Sequence, residues 1–313
     1  MKVLFIDSTH PLLVANLEAA GIQCDYQPKI TYDEFISILP QYEALVLRSK
    51  FKLGQFELQH GTKLKAIGRV GAGLENIDTD FATQQGINCI NVPEGNRDAV
   101  GEQALGMLLM LLNNLYRAHT EVCNGVWERE GNRGVEIKGK CIGIIGYGNM
   151  GQAFAQRLAG FEAKVLAYDK YKVAYGNPFA QEATLDDIFE QADILSIHLP
   201  LTPETLYMVD ADFIQKFKKN IYFINTSRGK NLKTADLVSA LKSGKVLGAA
   251  LDVLEYESIS FENLHKAQLP PDFEYLTQST NVVLSPHIAG WTHESNTKLA
   301  YYTALKIIRT LQA

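Results

Sequence analysis

The chain has 313 residues, 46% of them hydrophobic, enough to bury one large or two medium cores. Its net charge of −5 argues against a broad nucleic-acid surface, which needs clustered cations, but leaves room for a local basic pocket. Four scattered cysteines, Cys24, Cys89, Cys123 and Cys141, contain no CxxC pair; they read as reduced thiols of a cytoplasmic protein, not as a disulfide frame or metal site.

The opening "MKVLFIDS" enters a strand directly and lacks the pattern of a signal peptide. Three further buried strands follow in "ALVLRS", "LKAIGRV" and "INCINV", spaced by segments with helical patterning. That rhythm predicts a parallel sheet with helices on both faces. It changes near Pro93. There "DAVGEQALGMLLMLLNNLYRAH" puts Val100, Ala104, Met107, Leu108, Leu111 and Leu115 on one stripe, predicting a single long helix over 98–118. Its longest apolar run, "ALGMLLMLL", is too short to span a bilayer. A second strand series then runs through "CIGIIG", "AKVLAYD", "ADILSIHLP", "IYFINTS", "VLGAALDV" and "NVVLSP", and "ESNTKLAYYTALKIIRTLQ" closes the chain as a helix. Two α/β units divided near residue 97 are expected, joined by helices, with the last helix free to pack on either.

The motif "GYGNMG" carries Gly146, Gly148 and Gly151. Alone it is a weak signal, since a tight β–α turn explains it equally well. Here it follows the apolar "KCIGII", opens the helical "NMGQAFAQRLAG", and precedes a second strand ending in Asp169. Gly146 permits the sharp turn, Gly148 lets backbone approach a pyrophosphate, and Gly151 lets helix and strand pack closely. The amides of Asn149 and Met150 would face the negative charge at the helix N-terminus. Asp169 would accept hydrogen bonds from ribose hydroxyls and repel a 2′-phosphate, which selects NAD over NADP, although Lys170 and Lys172 stand beside it.

Three later strands end in polar residues: Arg228 in "FINTSRG", Asp252 and Glu257 in "AALDVLEYE", and His287 in "LSPHIAG". Strand ends of a doubly wound sheet face its ligand, so all three segments point toward one site. Taken singly, each has a bland reading: a surface turn, a solvated acid, a structural imidazole.

Together, the segments "RVGAGLENID", "NVPEGN", "GIIGYGNMG", "HLPLTPET", "NTSRG", "ALDVLEYE" and "SPHIAG" make the chain resemble the NAD-dependent D-2-hydroxyacid dehydrogenase family over nearly its whole length. The resemblance implies two Rossmann-like α/β domains with the active site in the cleft between them. The flavodoxin-like substrate domain would comprise 1–97 plus 288–313, and the NAD-binding domain 98–287. It implies a catalytic triad at Arg228, Glu257 and His287. Further NAD contacts are implied at Leu199, Pro200, Thr226, Ser227 and Gly290, with Asp252 toward the nicotinamide end. It also implies homodimers through the cofactor domain, and no metal. The chemistry suits these residues. Histidine exchanges protons near neutrality, a carboxylate orients the ring and stabilises its imidazolium, and a forked guanidinium grips a carboxylate.

Arg48 and Arg69 both close strands of the first unit, beside a "GAG" turn of Gly71, Ala72 and Gly73. The turn's amides would form a small anion nest, and paired arginines suit a second anion such as phosphate; a solvated basic edge is the plain alternative. This combination is most like the D-3-phosphoglycerate dehydrogenase branch, which serves serine biosynthesis. At 313 residues the chain is too short for the C-terminal regulatory domain found in some of that branch. Hydroxypyruvate or glyoxylate reduction is the alternative, and an NAD-sensing binding protein of corepressor type is the alternative of a different class. Four features depart from the family: "GKNLKTADL" after the arginine, Ser258 where proline is usual, a longer segment over 258–280, and Trp291 after the histidine loop.

Overall fold

Val3, Leu4 and Phe5 are fully buried, because a central strand of a parallel sheet is covered on both faces. They form β1 (Lys2–Phe5), which pairs with β2 (Gln23–Tyr26) on one side and β3 (Ala44–Leu47) on the other. β4 (Ala66–Arg69) and β5 (Asn88–Ile90) complete a sheet of order β2-β1-β3-β4-β5, the flavodoxin-like arrangement. Helices α1 (Pro11–Ala19), α2 (Tyr32–Ile38), α3 (Gln55–His60) and α4 (Thr79–Gln84) are its crossovers. The structure, a computed structural model, describes residues 1–257 and 269–313. It divides into a first unit of Met1–Arg97 with Trp291–Ala313 and a second of Asp98–Gly290.

α5 (Pro93–Leu112) starts on a proline, whose fixed φ and missing N–H suit a first helical turn. The single helix expected over 98–118 is broken. Asn114 adopts φ 52°, and α6 (Leu115–Cys123) restarts beyond it. Asn113 donates to Leu109 O at 3.1 Å and Asn114 to Arg133 O at 3.3 Å. Asparagine tolerates the left-handed region and competes locally for backbone partners, which ends the helix there. Leu115, expected on the buried stripe, is therefore 53% exposed.

The second unit holds β6 (Cys141–Ile145), α7 (Asn149–Arg157), β7 (Lys164–Tyr168), β8 (Gln181–Glu182), α8 (Leu185–Gln191) and β9 (Ile194–Ile197). It continues through α9 (Ala211–Gln215), β10 (Ile221–Asn225), α10 (Thr234–Ser243), β11 (Val246–Leu251), α11 (Pro271–Gln278) and β12 (Val282–Leu284). The sheet order is β12-β11-β10-β9-β6-β7-β8, with its pairs parallel, so every strand ends at one edge. Strand order reverses between β6 and β9, the switch point at which doubly wound sheets take their ligands. Apolar side chains fill both faces of this sheet: Leu195, Phe217 and Leu251 on one, Ile144, Phe154 and Ile224 on the other.

The closing helix α12 (His293–Gln312) packs in the first unit. Its Ala300, Ala304, Ile307 and Leu311 join the core of Val3, Phe5 and Val46. Thr292 and Ser295 form a reciprocal cap at its start. Of the segment read at 258–280, residues 258–268, including Ser258, lie outside the described residues, and α11 occupies Pro271–Gln278.

Candidate active site

The glycine turn follows β6 at the switch point. Gly146 has φ +90°, and a Cβ there would come within 2.4 Å of His198 O at the end of β9. A Cβ on Gly151 would lie 2.2 Å from Gly146 O, so helix and strand meet backbone to backbone. Gly148 caps α7 and faces open space, which leaves the amides of Asn149 and Met150 at a helix start without a side-chain cap. This is the geometry that admits a pyrophosphate. Thr226 Oγ1 is buried without a hydrogen-bond partner, an orphan that a ligand hydroxyl or amide would satisfy. The residues present fit a dinucleotide.

Asp169 leaves the end of β7. Its Oδ2 accepts from Tyr147 N at 2.9 Å and its Oδ1 from Tyr171 N at 3.1 Å, which ties the glycine turn to the adjoining strand end. The two neighbouring lysines are both engaged. Lys170 pairs with Glu204, and Lys172 donates to Tyr147 O at 2.7 Å. Neither contact is readable from local sequence, since the partners lie 34 and 25 positions away.

β10, β11 and β12 are neighbours, and their ends carry Arg228, Glu257 and His287. His287 Nδ1 lies 2.7 Å from Glu257 Oε2, with only 20% and 14% of the two side chains exposed. Glu257 Oε1 is held in turn by the amide of Leu254. Arg228 donates from Nη1 to Ser227 O at 2.7 Å. The next residue, Gly229, packs against the β11 loop so closely that a Cβ would fall 2.0 Å from Leu254 O. Arg228 thus rides on a turn that is interlocked with the loop carrying Glu257. The hydroxyl of Ser227, a residue expected at the cofactor, donates to Asn225 Oδ1 at 2.8 Å and Asn231 Oδ1 at 3.3 Å.

Asp252, also expected to reach toward the cofactor, is fully buried and faces the histidine loop. Its Oδ1 accepts from Ser285 Oγ at 2.6 Å and Ile288 N at 2.9 Å, and its Oδ2 from Ala289 N at 2.8 Å. Its carbonyl accepts from His287 N at 2.7 Å. These four bonds clamp a loop in which His287 sits at φ 54°, a left-handed conformation that a non-glycine residue holds only under constraint.

In the first unit, the register pairs Leu47 with Arg69, so Arg48 and Arg69 leave adjacent strand ends. Asp7 Oδ2 fixes the first by accepting from the amides of Arg48, Ser49 and Lys50 at 2.7, 3.0 and 3.1 Å. The Arg48 guanidinium lies 4.5 Å above the Trp291 ring, a cation–π contact of two residues from opposite ends of the chain. Arg69 folds back over Gly71, where a Cβ would come within 1.6 Å of Nη1. The turn's carbonyls are occupied: Gly71 O accepts from Val92 N at 2.8 Å and Ala72 O from Asn91 Nδ2 at 2.7 Å. Lys50 is turned away and donates to Pro28 O at 2.6 Å. Among the described residues, no three His, Cys, Asp or Glu gather as a metal site, and no helix is long and apolar enough to cross a membrane.

A doubly wound cofactor sheet whose neighbouring strand ends carry a histidine–glutamate pair and an arginine defines an NAD-dependent oxidoreductase. The comparisons agree. Residues 105–289 match the family described as D-isomer specific 2-hydroxyacid dehydrogenase, NAD binding domain, and the chain belongs to that family. A hydroxypyruvate reductase of Thermotoga maritima is 33% identical over 98% of this chain and 96% of its own length. A D-3-phosphoglycerate dehydrogenase of Archaeoglobus fulgidus is also 33% identical over 98% of this chain, which spans 57% of that relative's length. The crystal structure of D-lactate dehydrogenase from Aquifex aeolicus, complexed with NAD and lactic acid, superposes with a TM-score of 0.85 at 25% identity, covering 100% of this chain and 96% of that one. The protein is an NAD-dependent D-2-hydroxyacid dehydrogenase that interconverts a 2-hydroxy acid and its 2-keto acid.

Proposed function

We propose that the substrate carries a second anionic group, and that the protein interconverts 3-phosphoglycerate and 3-phosphohydroxypyruvate. One observation carries this reading: two arginines leave adjacent strand ends of the first unit, and one of them is folded over the glycine turn. The Gly71 amide already donates to Arg69 O at 2.8 Å, so the proposed anion contacts are the amides further along the turn for a carboxylate and the forked guanidinium groups beside it for a phosphate. Bound NAD supplies the hydride acceptor. His287 then removes the hydroxyl proton of the 2-hydroxy acid, and returns it in the reverse direction. Glu257, 2.7 Å from Nδ1, fixes the ring so that Nε2 faces the substrate, and offsets the positive charge when the ring is protonated. Arg228 grips the substrate carboxylate and polarises its 2-oxygen.

The second reading, reduction of hydroxypyruvate or glyoxylate, is favoured by the full-length match to a hydroxypyruvate reductase. Steady-state NADH oxidation with 3-phosphohydroxypyruvate, hydroxypyruvate and glyoxylate separates the two. The phosphorylated acid is expected to have the highest kcat/KM. Arg69→Ala is expected to lower it about thirty-fold, the worth of roughly 2 kcal/mol for a charge-assisted pair, with a smaller effect on the other two acids. Equal losses on all three overturn the phosphate reading, and silence on every acid favours an NAD-sensing binding protein.

The partner proposed for the second unit is another copy of this chain, in the cytoplasm. What supports the dimer is an apolar surface on and after α6: Leu115, Tyr116, Val122, Val126 and Trp127 are 49–81% exposed.

A further inference from the structure

Asp169, the carboxylate expected to select NAD, is followed by Lys170 and, after Tyr171, by Lys172, two cations at the strand end that a 2′-phosphate would approach. Such an arrangement ought to invite NADP, but neither lysine is at liberty to do so. Lys172 is spent on the carbonyl of Tyr147, inside the glycine turn. Lys170 is spent on Glu204, and the same carboxylate accepts from the hydroxyl of Tyr171. Glu204 lies in the loop after β9, and Lys170 and Tyr171 in the loop after β7. Those are the two strands flanking β6, so the contact spans the glycine turn at its adenosine side.

We propose that Glu204 is a second cofactor-specificity residue, which excludes NADP by neutralising Lys170 and placing another negative charge where a 2′-phosphate would approach. The inference rests on the dinucleotide reading of the glycine turn. It differs from the effect of Asp169 in kind. Asp169 rewards the ribose hydroxyls, whereas Glu204 withholds from the phosphate a cation that the chain already carries. About half of each side chain in the pair is exposed, 55% for Lys170 and 46% for Glu204, so the effect is modest and sensitive to salt.

The test is a fluorescence titration of NADH and NADPH into the full-length protein, in low and in high salt, alongside kcat/KM for each cofactor. Glu204→Gln keeps the length and a hydrogen-bonding oxygen but removes the charge. It is expected to tighten NADPH by about five-fold while NADH stays within about two-fold, with the gain shrinking in high salt. Lys170→Gln in the otherwise unaltered protein leaves the Glu204 carboxylate unneutralised and is expected to weaken NADPH by about two-fold or more with NADH unmoved, and to cancel the gain when combined with Glu204→Gln. A role confined to bracing the two loops would weaken both cofactors in parallel. An unmoved NADPH:NADH ratio in Glu204→Gln, with NADH still bound, overturns the role of Glu204 alone. Failure of the unaltered protein to bind NADH overturns the dinucleotide reading as well.

Discussion

Asp252→Asn removes one charge and one acceptor from the clamp that holds the histidine loop. An asparagine has a single side-chain oxygen. If it keeps Ser285 and Ile288, its NH2 is driven against the amide of Ala289; if it keeps Ala289, its NH2 is driven against the amide of Ile288, although the Ser285 hydroxyl can turn to accept. Hydrogen bonds to a charged acceptor are worth about 1.5–3 kcal/mol each, and a buried donor left unpaired costs about as much again, so a loss of about 2–4 kcal/mol in stability is expected. The loop also loses the restraint that keeps His287 at φ 54°, a conformation costing roughly 1 kcal/mol or more. Releasing it lets the ring leave Glu257, and kcat is expected to fall about ten-fold, the equivalent of about 1.4 kcal/mol in the population of the aligned pair. NADH affinity is expected to hold within about three-fold, because β10 and β9 separate β11 from the glycine turn. Urea unfolding, single-turnover kinetics and NADH titration on the same preparation check all three. An unchanged urea midpoint with an unchanged kcat refutes the clamp. A raised NADH KM with full stability would instead make Asp252 a cofactor contact.

His198 offers a pH-dependent measurement. Burial pulls its pKa from 6.5 down to about 4, since Nδ1 is enclosed without a partner while the ring packs on Phe154 and Nε2 meets Ser196. The unfolded chain therefore binds a proton that the folded chain refuses between pH 6.5 and about 4. The stability this group contributes is intact above pH 6.5, falls through that window, and levels off below it, with a total of up to about 3 kcal/mol. Urea midpoints across pH 4–8 for the native protein and His198→Asn are expected to converge toward the acid end; parallel curves would contradict the assignment. Gly229→Ala must part the β10 turn from the β11 loop, because its Cβ would meet Leu254 O at 2.0 Å and Leu254 C at 2.1 Å. A stability loss of roughly 3 kcal/mol and loss of turnover are expected from that overpacking, measured by urea unfolding and NADH oxidation. A fully active Gly229→Ala would contradict the interlock.

Strands were legible because burial on both faces leaves short unbroken apolar runs, whereas the longer run "ALGMLLMLL" lies in the helix α5. β2, "QCDY", and β8, "QE", were not, since both sit at sheet edges, where pairing is backbone to backbone and side chains stay partly wet. The break at Asn113–Asn114 was legible in residue type but was outweighed by the helical spacing on either side. Shared strand ends make it possible for Arg228, Glu257 and His287 to meet, but it is the family resemblance that singles them out from neighbours such as Asp252. The side-chain hydrogen bonds of Ser227 and Asp252 had no such signal. Their partners are fixed by loop conformation, and those of Asp252 stand 33 to 37 positions downstream.

The closing helix has a consequence for synthesis on the ribosome. α12 supplies Ala300, Ala304, Ile307 and Leu311 to a hydrophobic layer whose other residues are made in the first third of translation. A nascent chain therefore carries β1 and its neighbours with that layer covered by α1 but still lacking α12 while Asp98–Gly290 is emerging. The middle of the polypeptide matures first and its beginning matures last, an order that exposes the early segment to misassembly for most of the time the protein takes to be made.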